Sequence, residues 1–212
     1  MYSVKDARSP GGHTPTLTGV STAPESRRSQ ARERLLRTAA ELFYREGITG
    51  VGVDRVLAEA GVTRATMYRH FAGKEGLVVA YLEQEDATIR GYFAQAAAAG
   101  GSPQELLERV IDGIAEDATR YHDRGCPFIN ASAEYPDPDS DVRAVVRRHR
   151  DWFRATLTEL VTAHGHPDPA RAAASLVLLR DAMLVGVYLD GADAVGDAFR
   201  ASARTVVGLD LG

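Results

Sequence analysis

The sequence predicts an all-α fold in two parts: a small N-terminal three-helix unit of helix-turn-helix type, then a larger C-terminal helical domain. Three observations lead there. Apolar residues recur at i, i+3, i+4 and i+7 through successive segments, the period of a helix with one buried face. No segment shows the apolar–polar alternation of a half-buried strand. Helix start and stop signals, Ser, Thr or Asp ahead and Gly behind, bracket the periodic segments.

Residues 1–26 cluster Gly, Pro, Ser and Thr with little apolar content and read as a disordered tail. The first helix is expected from about Ser29 to Glu46, with Leu35, Leu36, Ala39, Leu42 and Phe43 on one stripe and Gly47 as its stop. A short second helix, Val53 to Ala60, ends at Gly61. A third follows Thr63, a good N-cap, and runs to His70. The fourth spans about Lys74 to Ala98. Ser102-Pro103-Gln104-Glu105 is a capping box with proline at the first helical position, and it opens a helix to about Tyr121. A short apolar segment, Pro127 to Tyr135, precedes a Pro/Asp turn. Helices then follow over about Asp141–Ala163, Asp168–Leu189 and Asp193–Val206.

Net charge hides a division. The chain carries −4 overall, yet residues 27–80 hold ten Lys/Arg against six Asp/Glu, and residues 81–212 hold thirteen against twenty-one. A basic module joined to an acidic one is the pattern of a nucleic-acid binder whose larger part does something else. The single cysteine, Cys126, excludes an internal disulfide and suits a reducing cytoplasm. No run of about 18 uncharged apolar residues suggests a membrane span, and no secretory signal is read at the N-terminus. No nucleophile–base pair, metal-ligand cluster or Gly-rich phosphate loop points to an enzyme, and no cofactor or metal is called for.

The tight turn Glu59-Ala60-Gly61-Val62-Thr63 joins the second and third helices as in a helix-turn-helix, with Gly61 supplying the positive φ. On the third helix, Met67 and Phe71 fall on the core side. Ala65 and Arg69 fall on roughly the opposite face, the one a recognition helix presents to base edges.

Over residues 29–80, about a quarter of the chain, the sequence resembles the TetR family of bacterial regulators. The resemblance rests on Arg34-Leu35-Leu36-Arg37-Thr38-Ala39-Ala40-Glu41-Leu42-Phe43, Glu46-Gly47 and Val56-Leu57-Ala58-Glu59-Ala60-Gly61-Val62-Thr63. It closes with Ala65-Thr66-Met67-Tyr68-Arg69-His70-Phe71 and Lys74-Glu75-Gly76-Leu77. The later stretch Gly125-Cys126-Pro127-Phe128-Ile129-Asn130-Ala131 is similar to one subgroup. The resemblance implies a DNA-binding domain over 27–73 and an effector-binding and dimerisation domain over 74–212. It implies base-edge contacts from Arg64, Ala65, Thr66 and Arg69, and phosphate contacts from Thr63, Tyr68, His70 and Lys74. The chain departs from the family at Val51-Gly52, where a Thr or Ser often caps the second helix.

The expected function is a cytoplasmic, homodimeric repressor on a palindromic operator in double-stranded DNA, released by a small-molecule effector. An effector pocket is expected among Tyr121, Phe128, Asn130, Trp152, Phe153, Asp181 and Tyr188, of which the five aromatic residues otherwise belong to the core. Arg180-Asp181 interrupts an apolar helix, either as a core or interface salt bridge or as a polar anchor for ligand. Cys126 reads as a buried small hydrophobe, and His164 and His166 as loop residues. Dimerisation is expected on the last two helices, with Val195, Ala198, Phe199, Ser202 and Val206 forming a narrow stripe.

Overall fold

The structure, a computed structural model, describes residues 23–209, with side chains from Ser29 onward. Among these, nine helices form: α1 (Ala23–Glu46), α2 (Val53–Ala60), α3 (Arg64–His70), α4 (Gly73–Ala98), α5 (Pro103–Arg120), α6 (Pro127–Glu134), α7 (Asp141–His164), α8 (Pro169–Asp190) and α9 (Ala192–Val207). No strand occurs among the described residues.

The expected tail over 1–26 is corrected at its end. Helix α1 begins at Ala23, so residues 23–26 are helical, and the remaining residues, 1–22, lie outside the described ones. Pro24 sits at the second helical position, where its fixed φ suits a first turn and its missing N–H costs no bond. The segment expected only as apolar, Pro127 to Tyr135, is helix α6, opened by Pro127 and stopped at Tyr135.

Helices α1, α2 and α3 wrap a small core of Leu35, Leu36, Phe43, Val56, Leu57, Met67 and Phe71. Helix α1 also packs along the start of α4, and this core continues without a break into the C-terminal domain through Leu77, Val78, Tyr81 and Leu82. There α4 packs on α5 and α7, α5 on α9, and α7 on α8. Helices α8 and α9 share the most extensive contact of any pair among the described residues. Gly186 makes that pairing possible: a Cβ there would stand 2.9 Å from Val195 Cγ1.

By length and composition, α8 is the one described helix long and apolar enough to cross a membrane. Two features place it instead in the helical core. Arg180 and Asp181 sit at its middle in a salt-bridge network, and its inner face packs on α7 and α9. Its outer face is a different matter. Ala174, Leu178, Ala182, Val185 and Leu189 line one exposed stripe, with Leu178 68% and Leu189 70% exposed.

Candidate nucleic-acid interface

The α2–α3 turn closes as its sequence requires. Gly61 takes a left-handed conformation, φ 62°, and the Gly61 and Val62 amides donate to Ala58 and Leu57 carbonyls. Thr63 then caps α3 by accepting the Thr66 amide at 3.2 Å. Met67 and Phe71 are buried, while Arg64, Ala65, Tyr68 and Arg69 are exposed, Tyr68 to 57%. Helix α2 starts at Gly52 with extended backbone and no side-chain cap, as the departure at Val51-Gly52 implies.

The exposed polar side chains of α3 are tied to one another. Thr63 Oγ1 and Thr66 Oγ1 lie 2.9 Å apart, and Arg69 Nη2 donates to Thr66 Oγ1 at 2.8 Å. Arg64 forms an ion pair with Asp54 on α2. His70 is half-buried with its ring against Phe71. Lys74 Nζ reaches the Thr49 carbonyl at 3.4 Å. Seven of the eight candidate residues therefore lie on α3 or its cap, and Lys74 lies one turn beyond, at the start of α4.

A cavity of about 560 Å³ opens between α4, α5, α7 and α8, some distance along α4 from the α3 surface. Its apolar wall includes Ile89, Phe93, Val110, Ile114, Phe153 and Leu184. Of the residues expected at a pocket, Tyr121 and Phe153 line it. The other five lie elsewhere. Phe128 stacks on His149 at 3.8 Å, and Asn130 Nδ2 donates to the Arg124 carbonyl at 3.0 Å. Trp152 meets the Phe93 edge at 5.4 Å, Asp181 pairs with Arg150 at 2.8 Å, and Tyr188 lies under the Arg124 guanidinium. Arg180, not Asp181, forms the cavity wall.

The description "Bacterial regulatory proteins, tetR family" matches residues 35–81. The chain is similar to LmrA of Bacillus subtilis, 32% identical over 162 residues that cover 75% of this chain and 85% of LmrA. It is similar also to SCO4454, a TetR-family transcriptional regulator from Streptomyces coelicolor. That structure superposes with a TM-score of 0.81 at 42% identity, covering 84% of this chain and 95% of that one. This chain belongs to the TetR family. It is thus a DNA-binding transcriptional regulator and not an enzyme. The Escherichia coli transcriptional repressor NemR is 27% identical over 132 residues, a stretch spanning 60% of this chain and 65% of NemR's length.

Sequence reasoning missed the joints by which this TetR-family chain fastens its helix-turn-helix to its larger domain. Glu134, on α6, accepts the Ile48 amide at 2.8 Å and the Thr49 amide with its second oxygen. Burial would raise this carboxyl, but the two amides and the Lys74 charge hold it below the usual carboxylate value. Tyr44, on α1, donates to the Gly125 carbonyl at 3.1 Å and accepts the Arg124 amide at 2.8 Å. Beside it His122 is buried between Asp117 (2.9 Å) and Glu85 (3.8 Å). Burial disfavours its charge, but the two carboxylates outweigh that and raise its pKa to about 9. His149, 1% exposed, has the opposite balance. Burial and the nearby Arg180 and Arg90 charges lower it to about 4 against the pull of Asp86. Apart from Asp117, their partners lie far away in sequence, so no local pattern marks these groups.

Proposed function

We propose that this regulator is a homodimeric repressor that binds a near-palindromic operator through two copies of α3 and releases it when a small effector occupies the α4–α5–α7–α8 cavity. The carrying observation is α4 itself. One continuous helix starts at Gly73, directly after the α3 unit, and its later turns supply Ile89, Tyr92, Phe93, Gln95 and Ala96 to the cavity wall. A single rigid element that borders both places is what a two-state switch needs. In this reading Arg64, Ala65, Thr66 and Arg69 meet base edges, and Thr63, Tyr68, His70 and Lys74 meet phosphates. The DNA-binding domain is 27–73 and the effector and dimer domain is 74–212.

The exposed apolar stripe of α8 supports dimerisation, joined by the small exposed residues Ala198 and Ser202 on α9. Similarity to NemR, a repressor, supports repression. The chromosome is the target, so the working place is the cytoplasm.

A gel-shift with the DNA upstream of the protein's own gene tests operator binding, and a retarded, competitor-resistant band is expected. Effector release is tested by titrating a cavity ligand calorimetrically with and without operator. Linkage requires operator to weaken ligand affinity by the factor that ligand weakens operator affinity, typically about 5–150-fold. Equal affinities in the two titrations would sink the release mechanism.

A further inference from the structure

The chemical class of the effector can be read from how the charges around the cavity are balanced. Three acids reach its wall, and each already has a cation. Asp112 pairs with Arg200 at 3.1 Å, Glu116 with Arg120 at 2.8 Å and Asp117 with His122 at 2.9 Å. Two arginines also form the wall, Arg109 and Arg180, and neither is balanced in this way.

Arg180 is the better placed of the two. It is only 5% exposed, so nearly all of its charge is out of water. Its one carboxylate partner, Asp181 at 3.2 Å, gives its other oxygen to Arg150 at 2.8 Å. Two guanidinium groups therefore share one carboxylate, and of the two Arg180 is the buried one while Arg150 is partly in water. The hydrogen bonds of Arg180 leave donors over as well. Nη1 makes both, to Cys126 Sγ at 3.2 Å and to Asp181 Oδ1 at 3.2 Å, leaving Nε and Nη2 without an acceptor among the described residues. Phe153 flanks the guanidinium, with its ring centroid 5.4 Å from Cζ. Arg109 is less distinctive, since its charge is felt by the Glu105 carboxylate one turn earlier on α5. Nη2 donates to the Gly100 carbonyl, and its buried Nε has no partner among the described residues.

A planar fork with spare donors, buried at an apolar wall, is matched by a carboxylate that carries an apolar body. We propose that the effector is an organic acid whose carboxylate docks on Arg180 while its hydrocarbon or aromatic portion fills the space between Ile89, Phe93, Ile114 and Leu184. This rests on the reading of the cavity as the effector site. A volume of about 560 Å³ lies within the usual range for a small-molecule site, so a body of one or two rings, or a medium alkyl chain, fits.

The probes are octanoate, cinnamate and 1-naphthoate, each beside its neutral amide, with octylamine as the cation. Trp152 is the sole tryptophan and packs on the cavity residue Phe93, so its emission reports binding to the full-length protein. At least one acid should bind about tenfold or more tightly than its amide, the effect of a charge-assisted hydrogen bond. Arg180→Met should abolish that preference while leaving amide affinity within about twofold, and Arg180→Lys should keep part of it. If Arg180→Met does not fold, the wild-type acid-to-amide ratio still decides. Amides or octylamine binding as tightly as the acids would overturn the acid assignment and leave the cavity as an effector site. Persistence of the acid preference in folded Arg180→Met would likewise overturn it. No binding by any probe would count against both readings.

Discussion

Glu134 Oε1 accepts the Ile48 amide at 2.8 Å, and through this contact α6 of the large domain grips the turn that follows α1. The acceptor is a carboxylate, and its second oxygen takes the neighbouring Thr49 amide. Glu134→Ala should therefore destabilise the protein by about 2 kcal/mol in urea unfolding, and Glu134→Gln by about half as much. Equal stability of all three proteins would show that water replaces the carboxylate at no cost.

His122 makes stability depend on alkaline pH. Its folded pKa of about 9 lies above the roughly 6.5 of an unfolded chain, so the folded state holds a proton that the unfolded state releases. The contribution is fully present below about pH 6.5 and is lost as pH rises through about 9, and it is on the order of 3 kcal/mol. His122→Gln should be less stable than wild type at pH 6, with the gap closing by pH 10. A gap that does not change over that range would mean that Asp117 and Glu85 do not hold the charge.

His149 acts in the acid range with the opposite sign. Its folded pKa of about 4 is below the unfolded value, so its contribution is present above about pH 6.5 and is lost as pH falls through 4. In the His149→Phe variant, the part of acid destabilisation falling between pH 6 and 4 should diminish. An unchanged acid slope would assign that loss to other groups.

Arg69 and Lys74 should separate sequence reading from charge. Arg69→Ala should cost about 1–3 kcal/mol on the operator and relax base preference at one position. Lys74→Ala should weaken all sequences alike and lower the salt slope by about one unit. Salt slopes that match for wild type and Lys74→Ala would remove Lys74 from the phosphate contacts.

Two substitutions on α9, Ala198→Glu with Ser202→Glu, or Leu178→Glu alone on α8, should convert the proposed dimer to monomers in sedimentation. Each puts a charge on the stripe proposed to be covered by the second subunit. A stable dimer from both variants would move the interface elsewhere.

Local chemistry made much of the fold legible. The bounds of α2 and α3 follow from Gly61 and Thr63, and the start of α5 from the Ser102–Glu105 box, where Ser102 Oγ accepts the Glu105 amide at 3.2 Å. These are contacts between residues three or four apart, so a single sequence contains both partners. The α3 surface was legible for the same reason, because seven residues suffice to assign Met67 inward and Arg69 outward. Helix α6 lacked such signals, because no side chain caps it at Cys126 and it stops at Tyr135 without a glycine. The cavity was beyond reach because it depends on which faces of four helices converge. Arg180 and Asp181 show the difficulty. They are neighbours in sequence, but about 100° of helical rotation separates them, so one reaches the cavity and the other turns to Arg150.

The Arg64–Asp54 ion pair bears on how the protein searches. A guanidinium already balanced by a neighbouring carboxylate projects little field beyond a Debye length of roughly 8 Å, so it adds little to capture by polyanions at a distance. In the proposed complex, only a base edge at close contact would compete with Asp54 for Arg64. On the proposed assignment of Arg64 to base edges, only a site offering it an acceptor in place of Asp54 would gain from its release, so the pair would favour a fitting address over a random one.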